Sequence, residues 1–343
     1  MILLDNPALR PVALGLTAIG VLAGVVGTFA VVRRQSLQGD AISHAALPGV
    51  ALAFMLGGRS PLVIVLGAAC TGWLAMTLVK GVVARSRIPF DTALAGALAV
   101  FFGFGLVLMT YLRKLNEILS TREPANFLEA WLHPHARDAV RHGLEKYLFG
   151  QAAFLEDGDV STIVGLGSAI LILLALFWKQ LKLASFDRDF AASLGFPMRG
   201  LELLMTSLIV CTVVLGLQFV GVVLMSALLV APVVAARQWV QRLGPLCILA
   251  GAIGGAAGFL GAILGHQRQG LPAGPVVVLA VTAMVVVSIL FAPQGGLLWG
   301  IRQSRDRKGA KLASEGAPTN GRSVTQGEGS LPHGRGSAGG GPA

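Results

Sequence analysis

Nine long apolar runs alternate with polar connections along the chain, at 11–32, 41–57, 62–84, 92–112, 160–178, 201–217, 219–236, 246–265 and 274–292. Crossing a hydrocarbon core of about 30 Å takes about 20 such residues in a helix, so each run predicts a transmembrane α-helix. The second run is short, and Asp40 and His44 stand in its first turn. The sixth and seventh runs are nearly continuous and break at Gln218 and Gly221, where a tight turn or a broken helix fits. The first run is as long as a full span and ends in Arg33-Arg34, which predicts a membrane helix rather than a cleavable leader.

Basic residues follow every odd-numbered run. Arg33 and Arg34 follow the first, Arg85 and Arg87 the third, and Lys179, Lys182 and Arg188 the fifth. Arg237 and Arg242 follow the seventh, and Arg302, Arg305, Arg307 and Lys308 the ninth. Short basic connections stay in the cytoplasm. The alternation therefore predicts an outside amino terminus and a cytoplasmic carboxyl terminus, and it supports the count of nine.

Composition agrees with this class. Of 343 residues, 54% are hydrophobic and 13% charged, against about 25% charged in soluble domains. The net charge of +10 would suit nucleic acid, but its placement at span ends and in the tail argues against that partner. The three cysteines, Cys70, Cys211 and Cys247, lie in or beside apolar runs without CxxC spacing, and read as buried structural thiols. The domain organisation predicted is a transmembrane domain over 1–302 and a disordered cytoplasmic tail over 303–343, where Gly, Ser, Pro and Arg dominate.

The longest connection, 113–159, should lie outside. It holds six basic residues and eight acids, and a connection this long is unusual unless functional or partly ordered. Residues 127–142 fit a short amphipathic helix interrupted at Pro134. His133 and His135, with His142 nearby, offer an external metal-capture site, although Pro134 and loop mobility weigh against a preformed one. Glycines spaced by four, Gly20/Gly24, Gly251/Gly255, Gly254/Gly258 and Gly261/Gly265, predict close helix packing.

Two segments stand out chemically. Asp40 and His44 share one helix face, and a carboxylate with an imidazole can share a divalent cation. The plain alternative is a capped helix start with a histidine hydrogen-bonded in the bundle. Ionisable groups in a span are costly and need a reason. Pro48-Gly49 should disturb the helix, which is tolerated at membrane depth only beside a cavity or within protein. The second segment, 185–197, reads as a short cytoplasmic helix capped near Ser185 or Asp187 and stopped by Gly195 and Pro197. Phe186, Phe190 and Leu194 share a face, either lying on lipid or inserting into a partner protein. The chain carries no GxxxxGK[ST] phosphate loop, no HExxH and no GxSxG, so it is not itself an enzyme of those kinds.

At these residues the chain resembles the membrane permeases of bacterial ABC importers for zinc, manganese and iron. The match runs through Arg33-Arg34-Gln35-Ser36-Leu37-Gln38-Gly39-Asp40-Ala41-Ile42-Ser43-His44-Ala45-Ala46-Leu47-Pro48-Gly49, and through residues 147–151, 186–195, 221–232 and 271–275. Residues 90–94 and 148–153 look most like the manganese and iron branch. The resemblance implies an all-α integral membrane fold like the vitamin B12 importer's permease. It implies two copies around a central pathway in the inner membrane, surrounded by lipid. It also implies a separate ABC ATPase docked on the coupling helix at Phe186, Asp187, Ala191 and Gly195, and an external metal-binding lipoprotein. Asp40 and His44 match the family's acid and histidine in the metal pathway, and the metal is cargo rather than a resident cofactor. An ion-gradient-driven transporter and a permease for a metal chelate are the alternatives.

Overall fold

The structure, a computed structural model, describes residues 9–57, 61–121, 155, 157–267 and 273–292. Among these, every regular element is helical: α1 Leu9–Val32, α2 Gln38–Gly57, α3 Pro61–Arg85, α4 Phe90–Thr121, α5 Asp157–Leu176, α6 Trp178–Phe186, α7 Arg188–Ser193, α8 Met198–Val220, α9 Val222–Arg237, α10 Leu243–Gln267 and α11 Ala273–Phe291. Eight of them are long and apolar enough to cross a membrane. All nine predicted runs are found as helices. The seventh, α9, has only 16 residues, about 24 Å of helix, and is short for a full span. The segment 122–154, predicted to lie outside (with His133, His135 and residues 147–151), residues 268–272 and the tail 303–343 lie outside the described residues.

α4 runs nine residues past its predicted end, to Thr121, so the start of the predicted loop is helix. Arg113, Lys114 and Glu117 end the apolar run but do not break a helix. α5 begins at Asp157, with Asp157 and Asp159 in its first turn, where carboxylates favour the positive end of the helix dipole.

α1 and α10 form the closest pairing in the bundle. A methyl group on Gly20 would strike the Gly254 carbonyl, one on Gly24 the Ala250 carbonyl, and one on Gly258 the Leu16 carbonyl. Of the predicted glycines, Gly20, Gly24, Gly254 and Gly258 therefore form a backbone-to-backbone seam, while Gly251 and Gly255 meet valine side chains of α1 and Gly261 faces Val277 of α11. α2 packs mainly on α3 and α4. Gly49 and Gly67 face each other across the α2–α3 contact, and Gly105 of α4 lies against Leu47 and Pro48. This packing accounts for a departure from expectation, since α2 continues unbroken through Pro48 and Gly49. The proline forfeits one backbone hydrogen bond, but glycines on two neighbouring helices let the helix seat against them.

The break between the sixth and seventh runs falls at Gly221 alone, while Gln218 stays helical. Gly221 has φ 87° and ψ 169°, a conformation open almost only to glycine. Gly221→Ala is expected to destabilise the bundle by about 1–3 kcal/mol, read as a lower melting temperature of the detergent-purified chain. An unchanged melting temperature would show that this turn relaxes freely. The cysteines are all free, but only Cys247 is buried; Cys70 and Cys211 are exposed, correcting the reading of three buried thiols. Apolar runs mark lipid-facing and core-facing positions alike, so burial could not be inferred from them.

Candidate functional site

α2 is one of the most deeply embedded helices of the bundle, and its first two turns carry Asp40 and His44. His44 is six residues into the helix, about 9 Å along its axis. The unbroken helix thus holds the pair near the end that follows Arg33 and Arg34. His44 Nε2 lies 3.5 Å from Asp40 Oδ1, a loose approach rather than a tight hydrogen bond. The Phe102 ring of α4 meets the imidazole edge-on, with centroids 4.8 Å apart. His44 Nδ1 is buried with no hydrogen-bond partner, as is Gln38 Oε1 on the same helix. The side chains of Asp40 and His44 remain 40% and 24% exposed within one chain. An imidazole locked into the bundle would have its ring nitrogens satisfied, so the plain alternative fits poorly. Among the described residues no third His, Cys, Asp or Glu joins the pair as a metal-binding group. The described residues of one chain therefore supply two such donors, fewer than the four or more that divalent metals take.

The second predicted segment folds in two pieces. α6 ends at Phe186, and Asp187 turns extended (φ −140°, ψ 94°) and caps α7, accepting from the Phe190 amide at 2.9 Å. α7 closes in a Schellman turn: Phe196 N donates to Ala191 O, Gly195 N donates to Ala192 O, and Gly195 has φ 82°. Phe186, Phe190 and Leu194 are all more than half exposed, whereas Ala191 is fully buried. The exposed apolar face is thus Phe186, Phe190 and Leu194. Asp187 and Gly195 shape the turn, and Ala191 seats it. Ala191 therefore offers no surface to a partner, contrary to its grouping with the docking residues.

Residues 5–122 and 132–292 match the family model described as the ABC 3 transport family. The chain belongs to this family. Within the ABC 3 transport family it is 42% identical over 317 residues to the zinc transport system membrane protein TroC of Treponema pallidum, covering 92% of this chain and 99% of TroC. It is 38% identical over 295 residues to the manganese transport system membrane protein MntC of Bacillus subtilis. That match covers 86% of this chain but 63% of MntC's length. Among solved structures, PsaBC from Streptococcus pneumoniae in complex with Fab superposes with a TM-score of 0.69 at 30% identity, covering 85% of this chain and 95% of that one. The chain is thus a multi-pass, all-helical ABC permease of this family, as the resemblance implied.

Residues passed over in the sequence stand beside α7. Arg188 Nη1 lies 2.8 Å from Glu202 Oε1 on α8. Lys80 of α3 donates to the Glu202 carbonyl at 3.3 Å and to Thr206 Oγ1. Arg33 Nε donates to Ser185 Oγ at 2.9 Å. Burial pushes the Arg33 guanidinium below its ordinary pKa, with the Glu202 charge opposing that shift and Arg188 adding to it. Lys80 and Glu202 sit inside predicted spans, at 62–84 and 201–217. An ionisable residue within an apolar run was the signal available.

Proposed function

We propose that this chain is the permease subunit of an ABC importer that moves a divalent metal ion into the cytoplasm, with manganese first and zinc or iron next. ATP hydrolysis takes place on a separate subunit. The Asp40–His44 pair, loose, partly exposed and unfinished as a ligand set among the described residues, is the observation that carries this reading. Two copies facing one pathway would bring two carboxylates and two imidazoles to one ion, enough to replace part of its water shell. Such oxygen and nitrogen donors accept manganese, iron and zinc, with affinity rising towards zinc. Selection therefore falls on geometry and on an external delivery lipoprotein. The names of the relatives, zinc for TroC and manganese for MntC, span the same set.

The exposed Phe186, Phe190 and Leu194 would enter a cleft of the ATPase; with α9 counted as a ninth crossing, α7 and the carboxyl terminus would then lie in the cytoplasm and the amino terminus outside an inner membrane. His133 and His135 remain candidates for capturing metal on the outer side. The test is reconstitution with the cognate ATPase and delivery protein in proteoliposomes. Manganese should accumulate only with ATP inside the ATPase-bearing compartment, and unlabelled zinc should compete. Uptake driven by an ion gradient without the ATPase would overturn the reading in favour of a secondary transporter.

A further inference from the structure

We propose that Glu202 is the electrostatic joint through which a displacement of α7 reaches the helix that carries Asp40 and His44. The proposal rests on the transport reading above and names the positioning residue of the same site.

Three cations stand about Glu202, and they meet different parts of it. Arg188 of α7 pairs with it directly at 2.8 Å. Lys80, near the end of α3, is held by the Glu202 carbonyl and by Thr206, whose own hydroxyl donates back to that carbonyl at 2.7 Å. Arg33, just past the end of α1, feels the Glu202 charge as attraction and the Arg188 charge as repulsion. It is tied to α6 through Ser185 Oγ, which donates to Leu181 O at 2.6 Å. Glu202 thus ties α7 to α3, through its carboxylate on one side and its carbonyl on the other, with Arg33 near enough to feel its charge.

The link from Arg33 to the metal pair is short and stiff. Arg34 takes φ 58°, the left-handed position that usually calls for glycine. Arg34 N donates to Val31 O at 3.0 Å and Gln35 N to Ala30 O at 2.8 Å, closing α1 in a Schellman turn. Gln38 N then donates to Gln35 O at 3.1 Å and Ala41 N to Leu37 O at 3.1 Å, which runs the connection directly into α2. Asp40 follows Gln38 by two residues. A shift of α7 pulls on Glu202 through Arg188 and on Arg33 through Ser185 of α6, and the start of α2 follows Arg33 without a slack segment between them. A second rigid arm runs through Lys80 to α3, on which α2 packs.

The experiment compares Glu202→Gln, Arg188→Gln, the double variant and the charge-keeping Arg188→Lys in the complete reconstituted transporter. Manganese uptake and ATP hydrolysis are measured together. Each neutralising single variant should lower the metal moved per ATP by about fivefold or more, the lower end of typical coupling between sites, while hydrolysis stays within about twofold. The double variant should fall no further than the worse single, because both remove the same joint. Arg188→Lys should keep most of the ratio, which also guards against a variant that merely fails to fold. A parallel loss of uptake and hydrolysis, an unchanged ratio, or effects that multiply in the double variant would each overturn the joint. A wild-type complex that hydrolyses ATP and moves no divalent metal would instead sink the transport reading on which it rests.

Discussion

Asp40→Ala and His44→Ala each reduce manganese uptake by cells on the order of a hundredfold or more, while the protein still inserts and assembles. The size follows from donor count. Loss of a group that only supports a metal ligand already costs about 10- to 100-fold. Removing a ligand from both copies of a paired site strips one whole donor type from the ion. The structural cost is small by comparison. The two side chains are partly exposed and 3.5 Å apart, and such an i,i+4 pair contributes about 0.5 kcal/mol or less to a helix. Cellular metal content, read beside the amount of permease in the membrane, separates the two effects. Normal accumulation in both variants would remove this pair from the pathway.

Gly20→Val and Gly254→Val are expected to prevent recovery of the folded chain, at a cost of about 3 kcal/mol or more. Each position faces backbone rather than a movable side chain, so the added atoms meet a carbonyl that cannot turn away. α1 and α10 must then part along their length, and the seam they form is the densest in the bundle. In a membrane no hydrophobic force drives helices together, so close van der Waals contact carries much of their association. Gly165→Val is the matched control, because nothing lies within 4 Å of a methyl group there. The control should leave size-exclusion behaviour and melting temperature unchanged, and the seam variants should aggregate. A monodisperse Gly254→Val protein with wild-type melting would show the helices to be looser than this packing requires.

Those glycines illustrate the limit of reading a chain by itself. Spacing by four marked Gly20, Gly24, Gly254 and Gly258 as packing residues, and so they are. Spacing did not say that Gly20 meets Gly254, more than 200 residues away, with Gly24 against Ala250 and Gly258 against Leu16. Pro48-Gly49 misled in the opposite direction: local propensity called for a broken helix, and glycines on α3 and α4 made room for an intact one. Ala191 shows the same limit at the candidate docking site. It belongs to a segment that resembles the family's coupling helix, yet it is buried, and the exposed face beside it consists of Phe186, Phe190 and Leu194.

The spans, the Asp40–His44 neighbourhood, the Asp187 cap and the turn at Gly221 were all legible in the amino-acid order. Each depends on residues within a turn or two of one another, or on the local cost of moving side chains from water to lipid. The meeting of Arg188 and Lys80 at Glu202, that of Arg33 with Ser185, the pairing of α1 with α10, the exposure of Cys70 and Cys211, and the unbroken course of α2 were decided only in three dimensions. These depend on which helix faces which, and that choice is made by shape and charge between segments far apart in the chain.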